Sequence, residues 1–391
     1  MKHITRAVWI LSVISLFTDM ASEMLYPIMP IYLKHIGFSV VLIGILEGFA
    51  EAIAGLSKGY FGKQSDLSGK RVPFVQVGYA LSAISKPMMA IFIYPLWIFF
   101  ARTIDRIGKG IRTGARDAIL SDEATAETKA KVFGFHRSMD TMGAVIGPAL
   151  ALLYLYFYPE DYKTLFFLAF IPGVLAVISS YLLKDKRKPN LETTKGSFFS
   201  FLHYWKESPE IYRKLVLGLL FFTLINSSDV FLLLKAKEAG LDDTWVIAVY
   251  IFYNLIFALF ALPMGILADK VGMKNIFIIG LLIFSVVYFG MAINTNIYFF
   301  FGLFFLYGVY ASMTEGISKA WITNITSKKD TATAVGNYSG FQSLCAMLSS
   351  TLTGFMWFQF GGNAAFMTTA ALTIIAIVYF ISLPKPQPYV E

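Results

Sequence analysis

Long apolar stretches alternate with short polar loops along the whole chain, with approximate bounds 8–33, 40–61, 73–94, 96–118, 132–157, 164–184, 214–235, 244–267, 275–293, 297–323, 332–358 and 364–383. A helix needs roughly 20 residues to cross a hydrocarbon core of about 30 Å. The pattern therefore predicts an all-α membrane protein with twelve transmembrane helices. The first stretch follows Met1–Arg6 directly and is far too long for a signal segment. It reads as a retained first helix, interrupted by Asp19 and Glu23.

One hydrophilic stretch, from Lys184 to Arg213, divides the spans six and six. The expected organisation is an N-terminal six-helix bundle over 1–184, a linker over 185–213 and a C-terminal six-helix bundle over 214–391. The linker's second part, from Ser197 to Trp205, is expected to form an amphipathic helix at the membrane surface.

Composition agrees: 57% of the 391 residues are hydrophobic and only 15% charged, too few charges for a soluble protein of this length. The net charge of +8 raises nucleic acid as a partner. Most of the lysines and arginines, however, fall in alternate short loops: Lys63, Lys70 and Arg71; Lys129 and Lys131; Lys270 and Lys274. That is the bias of cytoplasmic loops, and it predicts an integral protein of the bacterial inner (plasma) membrane with both termini cytoplasmic. The lone Cys345 excludes an internal disulfide framework and a cysteine-based zinc site.

The loop Gly62-Lys-Gln-Ser-Asp66-Leu-Ser-Gly69-Lys70-Arg71 recurs as Gly265-Ile-Leu-Ala-Asp269-Lys-Val-Gly272-Met273-Lys274. Ala21-Ser-Glu23-Met-Leu in the first span parallels Ser227-Ser-Asp229-Val-Phe in the seventh, and Glu51 corresponds to Asn254. Two halves built alike, with the substrate path between them, is how parallel-repeat transporters are organised.

Ionisable groups at bilayer depth need a partner, a wet cavity or a function. Asp19 and Glu23 are four residues apart and share one face of the first helix, and Glu47 and Glu51 repeat that spacing in the second. Paired carboxylates in low dielectric are suited to carrying a proton. The fourth span bears Arg102, Asp105, Arg106, Lys109 and Arg112 as one stripe. Its outer members are expected to line a cavity. Its inner members, with Arg116 and Asp117, are expected at a gate, and Arg137 and Asp140 are expected as their partners. The second half offers Asn226, Asp229, Asn254, Glu315 and Gln342 as mostly neutral cavity groups, and Tyr26 is a further lining residue. Proton coupling is thus expected in the N half. Met20, Met24 and Met139 read as apolar filler, and no metal site is expected.

These features resemble the major facilitator superfamily over essentially the whole length. The repeated loop is similar to that family's Gly-x-x-x-Asp-x-x-Gly-x-Lys/Arg signature, with Lys63 and Gln64 departing from it in the first copy. The resemblance implies a gate held by Asp66 and Asp269, with Gly62, Gly69, Arg71, Gly265, Gly272 and Lys274 completing the motif and Arg112 partnering Asp66. Gly134, Gly143, Gly147 and Pro148 resemble the signature of the family's antiporters, although Ala151 replaces its final glycine. Arg106-Ile-Gly-Lys-Gly110 resembles an element linked to proton transfer, and Glu23-Met-Leu-Tyr-Pro27 a helix 1 segment of drug–proton antiporters.

What the resemblance implies is a monomeric secondary transporter of a small organic molecule working by alternating access, as a proton-coupled antiporter in efflux. Protons would be its coupling ion, with no cofactor. The runner-up is transport of an organic anion, such as a carboxylate, a phosphate-bearing metabolite or a siderophore, resting on Arg102, Arg106 and Lys109. A non-transporting receptor with this fold is a third reading. An enzyme has no support, because no nucleophile triad, phosphate loop or metal cluster is present.

Overall fold

A computed structural model describes residues 4–26, 28–38, 40–185, 203–241, 243–294 and 296–384. Among them the order is α1 (Arg6–Glu23), α2 (Met29–His35), α3 (Val40–Ser68), α4 (Val72–Ile91), α5 (Pro95–Asp122), α6 (Lys129–Phe157) and α7 (Tyr162–Ser180). There follow α8 (Tyr204–Glu207), α9 (Glu210–Ile225), α10 (Val230–Glu238), α11 (Asp243–Val271), α12 (Met273–Ile293), α13 (Ile297–Asn324) and α14 (Thr331–Ser382). No strand occurs among the described residues.

Twelve spans account for these helices. α14 holds the last two, divided where Gly361 takes φ 82°, a conformation costly for any residue with a Cβ. α8 lies within the expected linker, and residues 186–202, including most of the expected amphipathic segment, are outside the described residues.

Two spans are not the unbroken helices expected from 8–33 and 214–235. The first divides into α1 and α2, and the seventh into α9 and α10 across Asn226–Asp229. Local chemistry explains both. Pro27 has no N–H to give a helix and disfavours helical backbone before it. In the seventh span Ser228 Oγ accepts from Val230 N–H at 3.4 Å, so a side chain replaces helical bonding there. The acidic residues that sequence repetition paired, Glu23 and Asp229, stand at the two breaks.

Seven helical stretches among the described residues are long and apolar enough to cross a membrane by composition alone. α5 is not among them, since its charges lower its hydropathy, yet Arg102, Asp105, Arg112 and Asp117 on it are all buried. Large apolar side chains instead face outward: Leu96 is 83% exposed and Phe358 85%. Lipid is the solvent that tolerates such a surface.

The described residues form two compact units. One comprises Met1–Ala124, Met139–Glu207 and Ser327–Ser343, and the other Thr125–Ser138, Ser208–Thr326 and Leu344–Glu391. Neither coincides with a sequence half. The first ten residues of α6 pack in the second unit, and the start of α14 packs in the first. Within the first unit, Met24, Leu25, Ile28, Met29, Tyr32 and Leu33 around the α1–α2 break are buried in one cluster with Phe166 of α7 and Met89 of α4.

Candidate functional site

In the first unit the repeated loop holds the start of α14. Asp66, near the end of α3, accepts from Thr333 N–H at 2.7 Å and from its hydroxyl at 2.8 Å. A carboxylate there satisfies a first-turn donor and meets the positive end of the helix dipole. Arg71 donates to Asp66 at 3.0 Å, to Asp122, and to the Lys328 carbonyl at 3.2 Å. The chain turns between them at Gly69, whose φ of 64° suits a residue without a Cβ. Arg112 is not the expected partner of Asp66. It donates to Ser82 Oγ at 2.5 Å and lies 4.6 Å over the Tyr79 ring, deeper along α5.

Asp66 lies past the predicted span 40–61. Burial raises its carboxyl to about 6, against the pull of the Arg71 charge and the Thr333 hydrogen bonds.

The second unit repeats the arrangement on different residues. Asp269, near the end of α11, accepts from Ala130 N–H at 3.0 Å and Lys131 N–H at 2.8 Å in the first turn of α6. The following turn is again a left-handed glycine, Gly272 at φ 98°. Lys274 does not take Arg71's part. Its ammonium donates to the carbonyls of Ile381 (2.9 Å) and Leu383, closing the carboxyl end of α14.

Glycines bring the backbones together beneath each loop. A Cβ on Gly62 would stand 2.5 Å from the Ala332 carbonyl oxygen, and one on Gly336 would collide with that of Lys58. In the second unit a Cβ on Gly134 would stand 2.5 Å from the Ala261 carbonyl oxygen, and one on Gly265 would collide with that of Ala130. Ala130-Lys-Val-Phe-Gly134 and Ala332-Thr-Ala-Val-Gly336 are thus a second repeated element. The sequence reading missed Gly336 and Thr333. Carrying the search for repeats past the loops would have found them.

The stripe on α5 is internally paired. Asp105 Oδ1 accepts from Lys86 Nζ at 2.8 Å and from Ser85 Oγ at 3.3 Å, and Arg102 lies 3.7 Å from its other oxygen. Lys86 on α4 is 2% exposed and was overlooked. A lysine inside an apolar span was signal enough. Arg116 pairs with Asp117 at 2.9 Å, whereas Lys109 is exposed. Arg137, expected to partner the fourth span, instead pairs with Glu315 in the second unit and covers the Phe257 ring at 5.1 Å.

Asp19 and Glu23 are half-buried on α1, and Tyr26 is 44% exposed beside the break. Arg106 is half-buried among the charges around Asp105. The side chains of Glu47 and Glu51 are outside the described residues. In the second unit Asp229 accepts from Tyr253 and Tyr307 hydroxyls, each at 2.5 Å. Asn226 Nδ2 donates to Tyr310 Oη at 3.1 Å. Asn254 turns back to the Tyr250 carbonyl at 3.0 Å, and Gln342 is half-buried in the first unit.

Helical spans, apolar outer surfaces and a helix-capping aspartate repeated in each unit define an integral membrane transporter fold. The Major Facilitator Superfamily is matched over residues 11–257 and 234–391. The chain belongs to that family.

An uncharacterised transporter of the same type from Methanocaldococcus jannaschii is 31% identical over 381 residues, 96% of this chain and 94% of the relative. The quinolone resistance protein NorA of Staphylococcus aureus is 24% identical over 170 residues, 44% of this chain and 42% of NorA. Among solved structures, the human organic anion transporter MFSD10 superposes with a TM-score of 0.78 at 15% identity, covering 96% of this chain and 99% of that one. The proton:xylose symporter XylE gives 0.75 at 16% identity, covering 98% and 96%. At those identities the two structures speak for the fold.

Proposed function

We propose that this transporter is a proton-coupled antiporter exporting a small organic molecule from a bacterial cytoplasm. One observation carries the reading: the antiporter-like glycines and the acidic face of α1 are a single contact. A Cβ on Gly143 would stand 2.8 Å from Met20 N and 3.0 Å from Asp19 Cβ. A Cβ on Gly147 would stand 2.5 Å from Met20 O and 3.3 Å from the Glu23 carbonyl carbon. Two glycines of α6 therefore seat the backbone that carries both carboxylates, and any larger side chain would displace them. The partial similarity to NorA, a resistance protein, supports export.

In this scheme Asp19 and Glu23 exchange protons and the Asp66 and Asp269 contacts close the cytoplasmic side. Both termini are cytoplasmic, the monomer is the working form, and protons are the coupling ion. The protein transports and does not catalyse a reaction. The test is proton flux in inside-out vesicles: added substrate should collapse an imposed pH gradient, and Asp19→Asn with Glu23→Gln should abolish that response while the protein still inserts. Uphill transport by the double variant would refute the assignment.

The organic-anion reading keeps one observation. Lys86 and Arg102, both buried, meet at the carboxylate of Asp105, which places two cations on that face. Alkalinisation of the medium by intact cells on adding an organic acid would favour it.

A further inference from the structure

The break between α9 and α10, inside the second unit, gathers more oxygen atoms than its hydrogen bonds use. The last helical bond of α9 runs from Asn226 N–H to the Phe222 carbonyl at 2.9 Å. Asn226 then turns extended, with φ −82° and ψ 98°. The carboxyl end of α9, where carbonyls lack helical donors and the dipole is negative, therefore faces the break.

Asp229 precedes α10 without capping it, because its carboxylate turns aside. Tyr253 Oη donates to one oxygen and Tyr307 Oη to the other, each at 2.5 Å. Among the described residues its hydrogen-bond partners are these two neutral phenols, and no cation pairs with it. One further oxygen in this region, Asn226 Oδ1, is buried without any hydrogen-bond partner, and the buried hydroxyls of Ser227 and Tyr288 have only each other. Ser227 is 4% exposed and Tyr288 fully buried. Asn226 Nδ2 is already committed to Tyr310. An orphaned buried acceptor and a hydroxyl pair with lone pairs to spare, set beside a carboxylate, call for an occupant.

We propose that this break binds one alkali cation, sodium, on the Asp229 carboxylate, Asn226 Oδ1 and Ser227 Oγ, with carbonyls at the end of α9 completing the shell. The donors are all oxygen, which selects a hard cation over a soft one. A single carboxylate balances a single positive charge, whereas a divalent ion would leave buried charge uncompensated. No group of three His, Cys, Asp or Glu suited to a divalent metal occurs among the described residues. Unwound backbone in a membrane helix, with a helix carboxyl end beside it, is suited to such an ion. The site stands whether or not the protein is a proton antiporter.

The test uses the full-length protein in detergent at neutral pH and constant ionic strength, with sodium chloride replacing N-methylglucamine chloride. Sodium should raise the thermal midpoint saturably, where potassium and N-methylglucamine do not, and radioactive sodium should bind at one ion per chain. Ser227→Ala should weaken that binding by about tenfold or more, and Asp229→Asn should abolish it. Glu210→Gln, an exposed carboxylate on α9, should leave it intact. Should Asp229→Asn not fold, Ser227→Ala decides alone. The proposal is overturned by an equal response to all three cations, by sodium binding that survives both variants, or by stabilisation on acidification with no sodium effect, which would make Asp229 a proton site.

Discussion

Asp66 and Thr333 are joined twice, through the backbone N–H and through the hydroxyl, although 267 residues separate them. The threonine supplies the first-turn donor and a second donor from its own side chain, and Arg71 steadies the carboxylate from the other side. In the second unit Asp269 instead takes two backbone N–H groups. Only the first contact depends on the identity of a residue in the capped helix.

Thr333→Ala should therefore weaken the first contact while leaving the backbone bond, at a cost of about 1 kcal/mol. Thr333→Ser should restore it. The thermal midpoint of purified protein measures the loss, and an unchanged midpoint in the alanine variant would show the hydroxyl bond to be unimportant.

Opening of the Asp66 contact should depend on pH. Closed, the carboxyl titrates at about 6, and exposed to water it returns towards its ordinary value of 3.8. The closed form binds more protons between those values, so acid favours closure and a rise in pH through the window favours opening. Arg71 faces Asp66 from one side, and Asp122 faces Arg71 in turn. Ser65→Cys, at a buried neighbouring position, should gain maleimide reactivity from pH 4 to pH 6 relative to an exposed cysteine. Asp66→Asn should flatten the profile.

Glycine substitutions should separate packing from bulk flexibility. Gly336→Val and Gly134→Val each press a side chain onto a neighbouring backbone, and overpacking of this kind costs about 1–3 kcal/mol or more. Gly302 has nothing within 4 Å of its absent Cβ, so Gly302→Ala should be neutral or mildly stabilising. Detergent stability by fluorescence-detected size exclusion ranks the three. A tolerated Gly336→Val would refute the close approach at α3.

Lys86→Met should be among the most destabilising single changes on α4. It strips the nearest counter-charge from buried Asp105, and breaking a buried pair costs about 3–5 kcal/mol. Lys86→Met with Asp105→Asn should recover much of the loss, because both charges then leave together. A double variant no better than the single would mean that Arg102, not Lys86, neutralises Asp105.

Long apolar runs made the twelve spans legible, and the loop repeat made the two aspartates legible. Two kinds of feature escaped. The breaks at Met24–Ile28 and Asn226–Asp229 lie inside apolar runs, where hydropathy is blind to backbone geometry and the clues are single prolines and serines. Partner choice escaped as well. Arg71 and Arg112 are both cations within reach of the loop by spacing. What separates them is place: Arg71 lies in the loop at the start of α4, whereas on α5 the contact of Gly78 with Gly108 lets Arg112 settle on Tyr79 and Ser82. Lys86 was readable, but a lone charge among apolar neighbours attracts less notice than a stripe.

α6 and α14 each belong at one end to one unit and at the other end to the other. Cutting the chain in the linker would therefore not yield two self-sufficient bundles. A fragment ending before the linker would lack Thr333 and Gly336 to meet Asp66 and Gly62, and a fragment starting after it would lack Ala130 and Gly134 to meet Asp269 and Gly265. Each fragment would carry the other's missing piece. Two such fragments made together in one cell would have to exchange these ends to become whole, so the duplicated sequence has built a protein whose copies are no longer spare parts for one another.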